Sequence, residues 1–594
     1  MAWTTACPDW ERRLVKGESI IPPPIFPDQA EQALAIFKQL QVTDLPKSVW
    51  DEALGKYRSP NFGECSEQWV FDFVSVIFGG YDAETGKQLI REFYLLISKK
   101  NTKSTIAAGI MLTAVILCWR EGEEHLILAP TKEVAGNSFG PAAAMVRADP
   151  ELNELFHVQD HVRTITHRVS QASLKVVAAD TDTVSGKKSG KVLVDEHWLF
   201  GKRANAEAMF MEALGGQVSR DEGWVIFLTT QSDDPPAGVF REKLQYYRDV
   251  RDGKIEDPRS LGVLYEYPPS MLKSKAYLKP ENFYITNPNM GRSVSAEWLE
   301  DTLKKMRAKS DSAFQQFLAK HLNVEIGLNL RSDRWAGADF WEYPADPTIT
   351  LESLLDRCEV AVVGVDGGGL DDLLGLVVIG RTKQPETYFQ PPHKDENDRL
   401  IPGQQVTKKR WLFWAHAWAH RIVLERRPEI APRLLDFVKS GDLTLVDAPG
   451  DDVEQVADLI CQVKDAGLLP EEKAIGVDAS GIGDIVDELL TEDRGIDFKQ
   501  IVAISQGYKL NGAIKTTERK VASAQMVHAD QLIMAWCVSN ARIEDKGNAI
   551  LVTKQASGKA KIDPLMAGFS AVSLMGLNPA PKQATSIYDE GVTI

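Results

Sequence analysis

A lysine and a hydroxyl side chain stand together between two apolar runs. The first run, Phe93–Ile97, predicts a buried strand, and the second, Ile106–Trp119, predicts a buried helix. Lys103 and Ser104 therefore lie in a strand, turn and helix layout that is typical of a phosphate-binding P-loop. In such a loop the backbone N–H groups face the phosphates, the lysine reaches the β- and γ-phosphates, and the hydroxyl binds Mg²⁺.

The P-loop pattern is incomplete, because it requires glycine at two positions where this chain has Ile97 and Thr102. An exposed basic turn between a strand and a helix is the alternative interpretation. A β-carbon at Thr102 would force a different backbone conformation on the phosphate turn or narrow it. The consequence would be weak nucleotide binding, or a site that a neighbouring subunit completes.

A second apolar run supplies a pair of carboxylates. Lys191–Val194 is followed by Asp195 and Glu196, about 90 residues after the Lys-Ser pair. Near a P-loop, the aspartate would order the Mg²⁺ shell and the glutamate would activate or orient the attacking water. Considered alone, Asp-Glu after a strand is equally typical of a helix N-cap.

Two weaker features point to the same site. The strand Trp224–Leu228 ends in three polar residues, Thr229 to Gln231, which either sense the γ-phosphate or form an ordinary turn. Gln68 precedes the helical stretch Val70–Phe78, and its amide either reads adenine or lies on the surface.

Three aspartates in the C-terminal half form a second candidate site. Asp366 and Asp478 each end an apolar strand-like run, and Asp563 begins the helical run Pro564–Val572. Three carboxylates can hold two divalent cations about 4 Å apart, which suits in-line phosphodiester hydrolysis. Any one of them alone would be interpreted as a turn or cap residue.

The elements that must position these residues form two α/β regions. Apolar strand-like runs alternate with helical runs, which predicts parallel strands buried on both faces. The predicted parts are a helical N-terminal extension, an α/β domain, a small helical linker subdomain, a second α/β domain that opens with a β-hairpin, and a flexible tail. Their ranges are 1–60, 61–260, 261–350, 351–577 and 578–594.

Composition narrows the function classes. A chain of 594 residues is too long for one core, and its net charge of −16 gives no general attraction for nucleic acid. Six scattered cysteines without a Cys-x-x-Cys pair disfavour zinc and disulfides and fit a reducing cytoplasm. The longest apolar run is too short to span a bilayer.

Any contact with DNA must therefore come from local basic groups, although each of these is more typical of a solvated face. The basic candidates are Lys408, Lys409, Arg410, Lys515, Arg519, Lys520, Lys554, Lys559 and Lys561. The tryptophans Trp411, Trp414 and Trp418 are predicted to be core residues rather than base-stacking residues.

Together these residues resemble the large terminase subunit of tailed bacteriophages, over about 61–575. In the branch that this chain is most similar to, the P-loop has a basic residue followed by Lys-Asn-Gly-Lys-Ser. The corresponding residues here are Lys99, Lys100, Asn101, Thr102, Lys103 and Ser104. The other matching segments are Asp195 to His197, Thr229 to Gln231, Thr286 to Asn289, His528 to Asn540, and Lys561 to Asp563.

The resemblance implies an ASCE-type P-loop ATPase domain, a helical linker subdomain and an RNase H-like nuclease domain. The candidate residues for ATP with Mg²⁺ are Gln68, Lys99, Lys100, Asn101, Thr102, Lys103, Ser104, Thr105 and Asp195, with Glu196 as the catalytic carboxylate. The candidate ligands of two Mg²⁺ or Mn²⁺ ions in the nuclease are Asp366, Asp478 and Asp563. Arg203 and Arg220 are the candidates for an arginine that acts on a neighbouring subunit.

The implied function is ATP-driven translocation of duplex DNA into a prohead, together with cutting of concatemeric DNA. The implied partners are duplex DNA, the portal protein, the small terminase subunit and further copies of this chain in a ring. The expected location is the host cytoplasm, transiently on the prohead, without a membrane.

Two other functions remain open. One is an assembly component that docks DNA and the portal but hydrolyses ATP poorly because of its altered P-loop. The other is a host helicase-nuclease, which is disfavoured because the chain has one P-loop and no second set of helicase-like motifs.

Overall fold

The computed structural model describes the chain with short gaps. It leaves out residues 1–2, 53–54, 179–188, 204, 327–334, 395–399, 479–482, 547–548, 555–560 and 582–594. The chain divides into two compact units, Met1–Ile326 and Gly327–Ile594. The predicted division into five parts stays a prediction. Most of the predicted flexible tail lies outside the described residues.

An eight-stranded sheet forms the centre of the N-terminal unit. In chain order its strands are β1 Glu92–Leu96, β2 Glu124–Ala129, β3 Phe156–Gln159, β4 Thr164–His167, β5 Ser173–Ala178, β6 Ser189–Val194, β7 Trp224–Thr229 and β8 Ser260–Leu264. Their order across the sheet is β8-β1-β7-β6-β2-β5-β4-β3. The first six are parallel, and β4 and β3 complete the sheet as antiparallel edge strands.

This order places β7 between the P-loop strand β1 and the acidic strand β6. One strand between the phosphate-binding strand and the acidic strand is the arrangement of an ASCE-type ATPase, so the sequence-based prediction of this fold is confirmed. The sheet strands are buried on both faces, as near-continuous apolar runs require.

Nine helices of seven or more residues accompany this sheet among the described residues. They are α1 Trp10–Lys16, α2 Pro27–Phe37, α3 Gln68–Phe78, α4 Lys103–Ile116, α5 Lys132–Ala148, α6 Ala206–Gly215, α7 Gly238–Arg251, α8 Ala296–Lys309 and α9 Asp311–Leu322. Helices α8 and α9 form a hairpin in the region where the sequence predicted a small helical subdomain. They are separated by Ser310, whose hydroxyl accepts a hydrogen bond from the Ala313 N–H and caps α9.

Strand β8 begins at Ser260 and pairs in parallel with β1. It therefore crosses residue 260, where the sequence pattern placed the end of the ATPase domain. Sequence analysis missed it because five residues after a polar stretch carry little periodic signal. The N-terminal extension packs onto the same unit, since the guanidinium of Arg251 in α7 lies 3.7 Å from the ring centroid of Trp10.

A second mixed sheet forms the centre of the C-terminal unit. Its strands are β9 Cys358–Gly367, β10 Leu374–Thr382, β11 Trp411–His420, β12 Leu443–Val446, β13 Ile475–Asp478, β14 Ile501–Ile504 and β15 Met526–His528. The order is β12-β11-β10-β9-β13-β14, with β15 beside β11. Three antiparallel strands followed by two parallel ones, in the order 3-2-1-4-5, form the RNase H-like fold that was predicted.

Helices cover this sheet and carry part of the second candidate site. Those of seven or more residues are α10 Leu351–Arg357, α11 Ala431–Ser440, α12 Asp451–Asp465, α13 Gly483–Leu489, α14 Asn511–Ala522, α15 Leu532–Asn540 and α16 Asp563–Met575. Among the described residues, no helix is long and apolar enough to cross a membrane.

Candidate functional site

The predicted P-loop joins β1 to α4 at the carboxyl edge of the first sheet. Helix α4 begins at Lys103, and the preceding turn contains Lys100 and Thr102 with positive φ angles of 73° and 56°. Lys103 is 8% exposed, and its Nζ lies 2.6 Å from Oε1 of Glu196. The P-loop lysine and the second residue of the acidic pair therefore meet directly.

Thr102 adopts the left-handed conformation that favours glycine. Two hydrogen bonds hold it there. Its hydroxyl donates to the Asn101 carbonyl at 2.8 Å and accepts from the side-chain amide of Asn289 at 3.0 Å. A β-branched residue is strained in this conformation, by about 1–2 kcal/mol. The missing glycine is thus replaced by a threonine whose strain is offset by a distant asparagine.

Replacing Thr102 tests this compensation. Thr102→Gly removes the strain and the hydroxyl bonds together, so we expect the midpoint of thermal unfolding to change little. Thr102→Val keeps the strain but removes the hydroxyl, so it should destabilise the protein by about 1 kcal/mol or more. The measurement is the thermal midpoint of the full chain for the two variants. A larger loss for glycine than for valine would contradict the proposed strain.

A buried asparagine network fixes the rest of the loop. The Asn101 amide is completely buried and donates to the Ser98 carbonyl at 3.0 Å and to Oδ1 of Asn287 at 2.9 Å. Its oxygen accepts from the Asn289 N–H at 3.1 Å, and the indole of Trp69 donates to Oδ1 of Asn289. Sequence analysis noted Asn287 and Asn289 as a matching segment but gave them no role.

Asp195 directly follows the acidic strand β6 and is completely buried. Its Oδ2 accepts from the Ser138 hydroxyl at 2.7 Å and from the Ser104 hydroxyl at 3.3 Å. Burial first, and then the neighbouring charge of Glu196, raise the pKa of its carboxyl. The Ser104 hydroxyl and the Asp195 carboxylate thus lie next to each other, as a site for Mg²⁺ requires. Ser138, on α5, was missed because no sequence pattern connects it to the P-loop.

Glu196 is held by three different groups. Besides its ion pair with Lys103, its Oε2 accepts from the Trp198 indole at 2.5 Å. Its backbone φ is 51°, and its N–H donates to Oδ1 of Asp195. Burial opposes ionisation of Glu196, but the ammonium of Lys103 outweighs it and lowers the pKa of the carboxyl. The carboxylate therefore stays charged at neutral pH.

The remaining predicted nucleotide residues are placed less centrally. Gln68 is exposed at the start of α3, and its amide donates to Asp72 at 2.8 Å. Lys100 is exposed, whereas Lys99 and Thr105 are partly buried. The Lys99 N–H donates to the Lys320 carbonyl at 2.7 Å, which ties the P-loop to the end of α9.

The two candidate arginines lie at opposite edges of the sheet. Arg203 donates to the carbonyl of Pro130 at 2.6 Å, just beyond the carboxyl end of β2 and on the P-loop side. Arg220 forms an ion pair at 3.0 Å with Glu123, which precedes β2 at its amino end. Position within the sheet therefore favours Arg203 over Arg220.

Asp366 and Asp478 are brought together by the second sheet. Strands β9 and β13 are parallel neighbours with Val365 opposite Val477, and each aspartate follows directly. Because carboxyl ends of parallel strands share one edge, the two carboxylates lie side by side there. Asp366 is 8% exposed and Oδ1 accepts from the amide of Gln506 at 2.7 Å. Gln506 was missed by sequence analysis, since it lies in a short loop after β14.

Helix α16 brings Asp563 to the same edge because glycines let it approach the sheet. A β-carbon at Gly367 would lie 3.0 Å from Cβ of Asp563, and one at Gly364 would collide with the carbonyl oxygen of Ala567. Asp563 is 9% exposed. All three predicted carboxylates are thus located where β9, β13 and α16 converge.

The convergence of these elements does not by itself arrange the three carboxylates as metal ligands. Among the described residues, no group of three or more His, Cys, Asp or Glu side chains is arranged to hold a metal ion. The acids of the hairpin turn are paired with cations instead: Lys561 contacts Asp372 at 2.5 Å, and Arg427 contacts Asp371 at 3.3 Å. The segment 479–482, directly after Asp478, lies outside the described residues.

Several of the predicted DNA-contacting groups are engaged within the fold. Lys409 pairs with Glu359 at 2.5 Å, and the Arg410 guanidinium donates to the Ala524 carbonyl. Lys520 lies 3.9 Å from the ring centroid of Trp411. Trp411 and Trp418 are buried, as predicted for core residues, and Trp414 is partly buried. The Lys559 prediction falls outside the described residues.

Comparisons with known proteins find large subunits of phage terminases. Residues 69–249 match the model of the family "Terminase large subunit, ATPase domain". The terminase large subunit of Lactococcus phage p2 is 23% identical over 521 residues, which covers 84% of this chain and 85% of that protein. The terminase large subunit of Enterobacteria phage HK97 is 22% identical, over 83% of this chain and 85% of that protein.

Solved structures of large terminases also align with this chain. The crystal structure of the HK97 bacteriophage large terminase aligns with 17% identity and a TM-score of 0.43, covering 92% of this chain and 99% of that one. A large terminase from a thermophilic bacteriophage aligns with 13% identity and a TM-score of 0.29, over 84% of this chain and 96% of that one.

Proposed function

We propose that this chain, which belongs to the terminase large subunits of phages, is both the motor that drives duplex DNA into the prohead and the nuclease that cuts concatemeric DNA. The observation that carries the motor assignment is the convergence of Lys103, Ser104, Asp195 and Glu196 at one edge of an ASCE-type sheet. Four side chains from two distant segments meet where such sheets bind ligands.

ATP with Mg²⁺ fits the groups at this edge. Lys103 supplies a buried ammonium for the terminal phosphates, and the Ser104 hydroxyl and the Asp195 carboxylate are hard oxygen donors that already contact each other. The ion pair between Lys103 and Glu196 then belongs to the resting site. When phosphates take over Lys103, Glu196 is released to accept a proton from the attacking water.

The loop network gives the motor a route for movement. Asn101 in the P-loop bonds to Asn287 and Asn289, which lead into the helical hairpin α8–α9. A change in the loop on nucleotide binding or hydrolysis would therefore be transmitted to that hairpin. We propose that the ATPase domain covers 61–264, since an end at 260 would divide β8, and that the linker subdomain follows up to 350 and the nuclease covers 351–577.

For the nuclease, we propose that Asp366, Asp478 and Asp563 hold two Mg²⁺ or Mn²⁺ ions. Hard carboxylate oxygens and the close approach that Gly367 allows to Asp563 fit such ions. Bound ions would activate water and stabilise the leaving oxygen of a phosphodiester. The residues of this chain hold the carboxylates at one edge, and Gln506 orients Asp366 by its hydrogen bond.

The proposed partners are those that packaging needs. They are duplex DNA, the portal protein, the small terminase subunit and further copies of this chain in a ring, on a prohead in the host cytoplasm. Arg203, on the P-loop side of the sheet, is our candidate for the arginine offered to a neighbouring subunit.

ATP turnover tests the motor assignment. We expect the full chain to hydrolyse ATP, faster with duplex DNA, and Lys103→Ala to lower kcat/KM by about 100-fold or more, since a charged group at the phosphates is lost. Lys304→Ala is the matched control, because the Lys304 side chain is 67% exposed and pairs with Glu300 on the same helix. It should stay within about twofold of the wild type, as expected for an exposed ion pair.

A second function is favoured by one observation, the strained Thr102 in the phosphate turn. In that case the chain docks DNA and the portal but has little ATPase of its own. The same assay separates the two functions. Wild-type turnover no higher than that of Lys103→Ala, with DNA binding intact, would support the docking component and contradict the motor.

A further inference from the structure

The end of α9 places a lysine of the helical hairpin beside the ATP site. Lys320 is 7% exposed, and its Nζ donates to the Gln231 carbonyl at 2.8 Å. The same Nζ lies 2.9 Å from the ring centroid of Trp198. Gln231 follows β7, the strand between the P-loop strand and the acidic strand. A buried ammonium therefore lies at the edge of the sheet where the phosphates are proposed to bind.

Lys320 is connected to the catalytic carboxylate through a single side chain. The Trp198 ring under its ammonium donates an N–H to Glu196, and Glu196 pairs with Lys103. The carbonyl of Lys320 accepts from the N–H of Lys99, the first residue of the P-loop match. Lys320 thus contacts the loop by its backbone and the acidic segment by its side chain.

This ammonium lacks the partner that a buried charge normally has. No carboxylate of the described residues lies within 4.0 Å of its Nζ, and a carbonyl and an aromatic face only partly replace one. Burial lowers its pKa to about 7, against the raising effect of Asp233 and Glu196. An anion at this position would supply the missing countercharge.

A second, independent feature points to a ligand at the same place. Gln231 is completely buried, yet neither Nε2 nor Oε1 of its side chain has a hydrogen-bond partner in the described part of the chain. An unpaired buried amide destabilises the folded state, so native proteins rarely keep one without a use. A phosphate oxygen would accept from Nε2.

We propose that Lys320 is a further phosphate-contacting residue of the ATP site, contributed by the helical hairpin, which binds the terminal phosphate of ATP and leaves the Trp198 ring to do so. Gln231 binds the same phosphate by its amide. The inference rests on the proposed ATP site and extends it. It gives a hairpin outside the sheet a contact that the triphosphate would make and the diphosphate would not.

Nucleotide discrimination by the full chain tests this role. Binding of ADP and of the non-hydrolysable adenylyl imidodiphosphate, each with Mg²⁺, is measured for the wild type, Lys320→Gln and Lys320→Arg. We expect Lys320→Gln to weaken the triphosphate analogue about tenfold or more while ADP changes less than about twofold, because one charge-assisted bond is lost. Lys320→Arg, which keeps the charge, should recover most of the discrimination.

Two results would overturn the inference. Equal weakening of both nucleotides, with a lower thermal midpoint, would mean that Lys320 only packs, and unchanged binding would mean that it faces no phosphate. Lys103→Ala distinguishes the inference from the ATP site itself. If Lys103→Ala weakens both nucleotides and Lys320→Gln shows no selective loss, only the inference fails. If the wild type binds neither nucleotide, the ATP site and the inference fail together.

Discussion

Glu196→Gln should bind ATP and fail to turn it over. The substitution keeps the size of the side chain and an oxygen for the Trp198 indole, but an amide cannot accept the proton of the attacking water. We expect kcat to fall by about 100- to 10,000-fold, the range for loss of a general base. The measurement is steady-state and single-turnover hydrolysis by the full chain, with duplex DNA.

The affinity of Glu196→Gln for the nucleotide should not fall with kcat. In the resting site Glu196 holds Lys103 at 2.6 Å, so it competes with the phosphates for the same ammonium. A neutral glutamine competes less, and the Kd for the triphosphate analogue should therefore fall or stay unchanged. Glu212→Gln, at an exposed position of α6, is the control and should alter neither quantity. Loss of binding in Glu196→Gln would show that the carboxylate holds the site together instead of acting on water.

Asp366→Asn and Asp478→Asn should each abolish DNA cutting, the second large effect. Both carboxylates lie at the carboxyl edge of the parallel pair β9 and β13. Either substitution removes a charged ligand from a proposed two-ion site, and we expect plasmid cleavage with Mn²⁺ or Mg²⁺ to fall by about 100-fold or more. Asp465→Asn, whose side chain is 73% exposed at the end of α12, should cut like the wild type.

A thermal readout separates metal binding from folding. Removing one of three neighbouring carboxylates reduces their repulsion, so the midpoint without added metal should stay the same or rise. Ions that bind only the folded state should raise the midpoint of the wild type and of Asp465→Asn, but much less that of Asp366→Asn and Asp478→Asn. Metal stabilisation equal in all four proteins, or cutting by the Asp366 and Asp478 variants, would remove these residues from the site.

Local sequence pattern was sufficient to find the residues that begin or end an apolar element. Lys103, Asp195, Asp366 and Asp478 each adjoin a continuous buried run, and such runs mark strands and helices without further information. The alternation of strand-like and helical runs likewise predicted two α/β regions. The strand orders, which confirm an ASCE-type and an RNase H-like sheet, depend on pairing between distant segments and needed the structure.

Only the tertiary structure decided which distant side chains contact the residues of the two sites. The hydrogen bond between Ser138 and Asp195 joins positions that are 57 residues apart. The hydrogen bond between Asn289 and Thr102 joins positions that are 187 residues apart. The same holds for the hydrogen bond from Gln506 to Asp366 and for the contact of the Lys320 ammonium with the Trp198 ring. No periodic sequence signal connects the segments that these contacts bring together. A buried polar atom needs a partner, but sequence does not say which of many polar residues folding will bring to it. Residue type and spacing therefore determined which side chains of this chain can react. Long-range packing determined the conformation in which these side chains are held.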